Sequence, residues 1–260
     1  MKTKTRARIG LVELHVTPRA GAPEDKLAAL AEATVSDGAA RMRTVLGVLA
    51  HAQTQGLDAI VFPGWTLVGE TLPRRVLAAC GDRVVVIEGI GGLGKRTAKA
   101  RYPWSTYVVW RGEVVARGRQ LLATAAEVSE ENVTRLAREL AGPRTFVHPT
   151  LGRTGLLVCG EPNVVREHAR SPLPELDTIL NPAHTPSRLP AMQRKRAKLA
   201  SRGTLVTTAN THDGWTPRRG KARPAARHAA EWFHGGARGA APDSLRLSPG
   251  VTLSVVELPG

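Results

Sequence analysis

Residues 154–163 read TGLLVCGEPN, an apolar run that climbs to Cys159 and then breaks into Gly160, Glu161, Pro162 and Asn163. A strand-like run closed by turn residues places its last side chain at a carboxyl end. In α/β sheets that is where working groups gather in a shared crevice. Gly160 permits a tight turn, and the segment after it can present backbone N–H groups to an oxyanion. Cys159 is therefore a candidate nucleophile, to be weighed against a small buried thiol at a strand end. Cys80 lies in RVLAAC, an apolar helical context where a buried thiol is unremarkable. A chain of 260 residues can build a full core without a disulfide staple, so both thiols are expected to be reduced and the protein cytoplasmic.

Working outward, β-branched and apolar runs recur as IGLVELHV, DAIVFP, DRVVVIEG, TYVVW, EVVARG, DTILNPA, GTLVTTAN and VTLSVVEL. Segments with helical spacing separate several of them, which makes this an α/β protein, read as one domain over 1–260. The clearest helix covers 38–55, with Met42, Val45, Leu46, Leu49 and Ala50 as an apolar stripe and Gly56 as a stop. A second covers 129–140, capped by Ser129, with Val133, Leu136, Ala137 and Leu140 on its buried face. A third covers 189–203, its apolar residues being Leu189, Met192, Ala197 and Leu199 and its outer face strongly basic. Residues 216–242, rich in Arg, Ala, Gly and Pro, read as a basic loop region containing a short AEWF element.

The formal charge of +15 raises nucleic acid as a partner, but the basic residues are scattered as well as clustered at 194–202 and 216–228. Such stretches are more often solvated faces than binding sites. The basic start MKTKTRAR runs into a strand without the apolar stretch of a signal peptide, and no run is long enough for a membrane span. GIGGLGK at 89–95 is like a phosphate loop, but Arg96 stands where magnesium needs a hydroxyl, and Pro103 interrupts the helix that should follow. The eight histidines show no paired helical spacing, so no metal is expected, and G-x-S-x-G is absent. No cofactor is implied.

In several places the chain resembles the carbon-nitrogen hydrolase, or nitrilase, superfamily. DAIVFPGW resembles the family's strand ending in Phe-Pro-Glu, RGEVVARGRQLLATAAE its segment joining a lysine to a second glutamate, and TGLLVCGEPN its nucleophile strand. LNPAHTP, the basic helix, GTLVTTANTHDG and FHGGARG follow in the family's order. The resemblance implies a four-layer α-β-β-α sandwich, pairing into a homodimer through helices beside the nucleophile strand, and a small amide or nitrile as substrate.

Family members use a glutamate base, a lysine that stabilises the tetrahedral intermediate, and a cysteine nucleophile. Of these positions Cys159 is intact, the base position is Gly64, and the lysine position is Arg119. Glu127 matches the second glutamate and Glu161 the acidic residue after the cysteine. Gly64 has no side chain to move protons, and an arginine can clamp charge but not donate a proton. Glu127, Glu70 and Glu88 are candidate replacements for the base, while Glu127 alternatively pairs with Arg119 in a buried ion pair. Trp65, His184 and Trp215 are candidate pocket linings. Two functions follow: a cysteine hydrolase with a rebuilt site, or a pseudoenzyme that keeps the sandwich as a ligand-binding or interaction module. Placing Glu at Gly64 is expected to restore amidase activity if the site has merely decayed.

Overall fold

The computed structural model describes residues 6–17, 26–69, 71–91, 104–122, 129–165, 174–186, 189–212 and 229–259. In chain order come β1 (Arg8–Val16), α1 (Lys26–Ser36), α2 (Gly38–Thr54), β2 (Ala59–Val61), β3 (Leu67–Val68), α3 (Arg74–Cys80) and β4 (Val84–Ile90). Then follow β5 (Trp104–Trp110), β6 (Glu113–Gly118), α4 (Glu130–Leu140), β7 (Thr145–His148), β8 (Gly152–Leu156), β9 (Thr178–Ala183) and α5 (Pro190–Leu199). The chain closes with β10 (Thr204–Ala209), β11 (Thr211–His212), β12 (Glu231–His234), β13 (Ala237–Arg238), β14 (Asp243–Ser248) and β15 (Val251–Glu257).

Strand alternation explains why these elements form layers. Successive side chains of a strand point to opposite faces, so a strand apolar at every position must be covered on both. In β1, Ile9 and Leu11 join one core cluster while Val12 and Leu14 join another; in β4, Val84 and Val86 part from Val85 and Ile87 in the same way. The even residues of β4 meet Leu156, Val158, Leu180 and Val206 from the second sheet, which is the seam between the sheets. On the outer side, Met42, Val45, Val48 and Leu49 of α2 cover the first sheet. Val133, Leu136 and Leu140 of α4 cover the second, against Leu157, Ile179 and Leu205. Three cores between four layers give the α-β-β-α sandwich.

The nine-stranded sheet runs β14-β15-β1-β2-β4-β5-β6, with β3 beside β4 and β11 beside β1, and the six-stranded sheet runs β13-β12-β10-β9-β8-β7. Around the middle of each, β1-β2-β4 and β8-β9-β10 are parallel. Their carboxyl ends therefore open at one end of the sandwich, which is where Cys159 emerges.

The helix of 129–140 carries the expected cap, the Ser129 hydroxyl accepting a hydrogen bond from the Asn132 N–H at 3.1 Å. One expectation is corrected. In the third helix Leu189 is exposed, and the side chain that α5 buries is Arg196, because Glu231 of β12 and Asn163 of the turn after Cys159 accept hydrogen bonds from its guanidinium. The short AEWF element is a strand, residues 231–234 forming β12, antiparallel to β10. Residues 213–228 lie outside the described residues.

Candidate active site

Beyond β8 the chain continues alongside β9, the Cys159 N–H donating to the Pro182 carbonyl at 2.8 Å. The Asn181 side-chain amide donates back to the carbonyls of Leu157 (2.8 Å) and Cys159 (3.3 Å). At Cys159 the backbone turns into the left-handed region, φ 50°. A residue with a Cβ is uncommon there, and its persistence requires surroundings that over-determine it. Glu161 supplies part of that constraint. Fully buried, its carboxylate accepts the N–H groups of Val158 and Leu121, each at 2.7 Å, and pairs with Arg144 at 2.8 Å.

The partner of the thiol is His184, which follows β9 as Cys159 follows β8. Its imidazole and its backbone N–H both hydrogen-bond the Cys159 sulfur. The ring's Nε2 lies 2.7 Å from Glu88 Oε2. Glu88 shares strand parity with Val84 and Val86, so it faces the seam, and it is fully buried. It accepts two further hydrogen bonds, from the Thr106 hydroxyl at 2.6 Å and from the Trp65 N–H at 2.7 Å. Cysteine, imidazole and carboxylate thus form a hydrogen-bonded chain that spans both sheets.

The electrostatics follow from this chain. Burial alone pushes the Cys159 thiol up, but the neighbouring imidazolium and its hydrogen bonds outweigh burial and hold the thiol below its ordinary range. Burial alone pushes His184 down; the Cys159 thiolate and the Glu88 carboxylate outweigh it and raise the imidazole to about 10. Both shifts favour a thiolate–imidazolium pair, whose apparent pKa values belong to the pair rather than to either residue.

Gly64 is packed tightly against the His184–Glu88 pair. Its N–H donates to the Ala183 carbonyl at 2.9 Å, and its own carbonyl accepts from the Asn210 side chain at 2.8 Å, so its backbone is pinned beside His184. A Cβ on Gly64 would stand 2.2 Å from His184 Cδ2 and 2.9 Å from Glu88 Oε2. Glycine here is what lets His184 and Glu88 meet.

The other residues singled out from the sequence divide clearly. Glu88, Trp65 and His184 converge on Cys159. Glu161 braces the turn from behind. Arg119 is exposed at the end of β6, and the guanidinium that enters the protein there is Arg144, which pairs with Glu139 and Glu161 and donates to the Arg119 carbonyl. Glu127, Glu70 and Trp215 lie outside the described residues. No group of His, Cys, Asp or Glu suited to a metal ion occurs among the described residues.

Sequence reading missed two cations. Arg196, 3% exposed, donates to Asn163 Oδ1 at 3.1 Å and Glu231 Oε2 at 3.0 Å, and lies within electrostatic reach of Cys159. Arg144 is fully buried in space left by Gly118, whose added Cβ would come 2.9 Å from Arg144 Nε. Replacing Arg144 by Met strands the Glu161 carboxylate in the interior. The expected loss is about 3–5 kcal/mol in urea denaturation.

No protein-family model and no curated protein matches the chain in sequence. Solved structures do match in fold. The glutamine-dependent NAD+ synthetase from Acinetobacter baumannii, in complex with ADP, is 14% identical with TM-score 0.56, covering 96% of this chain and 45% of its own. The corresponding synthetase from Cytophaga hutchinsonii gives 13% identity and TM-score 0.54, covering 98% and 43%. This chain therefore spans less than half the length of those synthetases. The amidase from Nesterenkonia sp. AN1 matches over 98% of this chain and 91% of its own, at 16% identity and TM-score 0.56, in a mutant with the acetamide moiety of fluoroacetamide added at its active-site cysteine. That amidase is described as one from the nitrilase superfamily. The chain has the carbon-nitrogen hydrolase, or nitrilase-superfamily, fold.

Proposed function

We propose that the protein is a cysteine-dependent hydrolase of small non-peptide amides or nitriles in which His184, oriented by Glu88, does the proton transfer that the family assigns to another carboxylate. The observation that carries this reading is the hydrogen-bonded Cys159–His184–Glu88 chain. Nucleophile, base and orienting carboxylate in series are the general arrangement of thiol and hydroxyl hydrolases on unrelated folds.

With an amide, the Cys159 thiolate attacks the carbonyl carbon and the C=O π pair moves onto oxygen. The Gly160 N–H and the field of buried Arg196 meet the resulting oxyanion. As the tetrahedral intermediate collapses, the C–N bond breaks and the His184 imidazolium gives its proton to the departing nitrogen. Neutral His184 then takes a proton from water, the hydroxide adds to the thioester, and the thiolate leaves, restoring the ion pair. Activity should therefore rise with pH as the thiol ionises below its ordinary range, and fall as His184 loses its proton near pH 10.

Ammonia release from a panel of short aliphatic amides and nitriles tests the reading. Turnover in the parent and its loss in Cys159→Ala is the expected result. No ammonia and no acyl adduct on Cys159 by intact mass, with any substrate in the panel, would leave the alternative of a non-catalytic ligand-binding module.

A further inference from the structure

Trp65 is the residue of the site whose backbone is most at odds with its side chain. It follows Gly64 and adopts φ 53°, in the left-handed region that a bulky aromatic residue rarely occupies. Three groups hold it there. Its N–H donates to Glu88 Oε2, and its carbonyl accepts from the Thr34 hydroxyl and from Arg41 Nη1, both at 3.2 Å. The ring is 2% exposed among Leu30, Ala31, Ala33 and Ile90, so it cannot swing away. What this arrangement accomplishes is a stack: the indole lies 4.2 Å from the His184 ring, centroid to centroid, with the planes 36° apart. Trp104 closes a third side, edge-on to His184 at 5.6 Å.

We propose that Trp65 is a positioning residue that clamps the His184 ring and stabilises its imidazolium through the indole face, a role that rests on the hydrolase reading above. An aromatic face attracts a cation, most strongly when that face is tryptophan and the cation is desolvated. Glu88 and Cys159 hold the ring through hydrogen bonds at its edge, and the indole covers its face. Because the Trp65 N–H also binds Glu88, one residue contacts both members of the pair. The strained backbone at residue 65 is what brings the N–H and the indole to the same side.

The charged groups facing His184 are Glu88 from β4 and Cys159 beyond β8, with Arg196 of α5 acting on Cys159. The test is the pH profile of Cys159 alkylation by iodoacetamide in Trp65→Leu, Trp65→Phe and His184→Ala, with folding checked by circular dichroism. Trp65→Leu should move the thiol's midpoint up by about one pH unit, and Trp65→Phe, which keeps a ring, by clearly less. If Trp65→Leu matches the parent, or if Leu and Phe shift the midpoint equally, the clamp is wrong. Should Trp65→Leu fail to fold, the parent-to-Phe difference alone decides, absence of any shift overturning the proposal. A midpoint unmoved in His184→Ala would instead overturn the ion pair, and with it the hydrolase reading, so the two failures are distinguishable.

Discussion

Gly64→Glu is expected to silence Cys159, the opposite of what a family-based repair would give. A glutamate is the repair that position 64 invites when it is read alone. With His184 in place there is no room: even the Cβ of an alanine would stand 2.2 Å from His184 Cδ2. The neighbours cannot simply yield, since Asn210 holds the carbonyls of Gly64 and His184 at 2.8 and 3.2 Å and the Gly64 N–H is tied to Ala183. The imidazole must leave, separating the thiol from Glu88. Gly64→Ala should already lower the rate of alkylation at pH 6–7 by about a hundredfold or more, the lower range of what a positioned base contributes. Overpacking should also cost about 1–3 kcal/mol in urea denaturation. Amidase turnover in Gly64→Glu at or above that of the parent would mean that His184 is dispensable.

His184→Ala should reduce hydrolysis by about 10²–10⁴ and raise the thiol toward its ordinary range, because the imidazolium is what opposes the burial of Cys159. Glu88→Gln should approach the same loss by a different route. Its volume is kept, but an amide cannot serve as the charged acceptor for Nε2, the Thr106 hydroxyl and the Trp65 N–H together. In serine hydrolases, replacing the orienting carboxylate by its amide costs about 10⁴ through the wrong imidazole tautomer. Steady-state rates of both variants, alongside Cys159→Ala as the floor, check this. Equal activity in Glu88→Gln and parent would remove the carboxylate from the mechanism.

Much of the fold is legible in the sequence because two physical codes agree. Period-two alternation in VVVIEG and TGLLVC puts apolar residues on both faces, which requires covered sheets, and period-3.6 stripes at 38–55 and 129–140 supply the covers. The seam, the position of Glu88 on its inner face and the emergence of Cys159 at a carboxyl end all follow. What does not follow is pairing across space. His184 stands 25 positions after Cys159, and its proximity depends on β8 and β9 being parallel and in register, Leu156 beside Leu180. That register carries a usable signal, since TGLLVC and TILNPAH end their apolar runs at matching heights. The missing side chain at Gly64 carries another, a cavity that something must fill. Arg144 and Arg196 were invisible for a different reason: in sequence each is one of many arginines, and only burial against Glu161 or Glu231 distinguishes it.

The proposed chemistry requires the thiolate–imidazolium pair, and the pH dependence of Cys159 alkylation measures it directly. Cys80→Ala provides the background, although Cys80 is fully buried and burial raises its thiol to about 11. The prediction is a midpoint well below the ordinary thiol value of about 8.5, moving up toward that value in His184→Ala. A midpoint at or above about 8.5 in the parent, unchanged when His184 is removed, would contradict it.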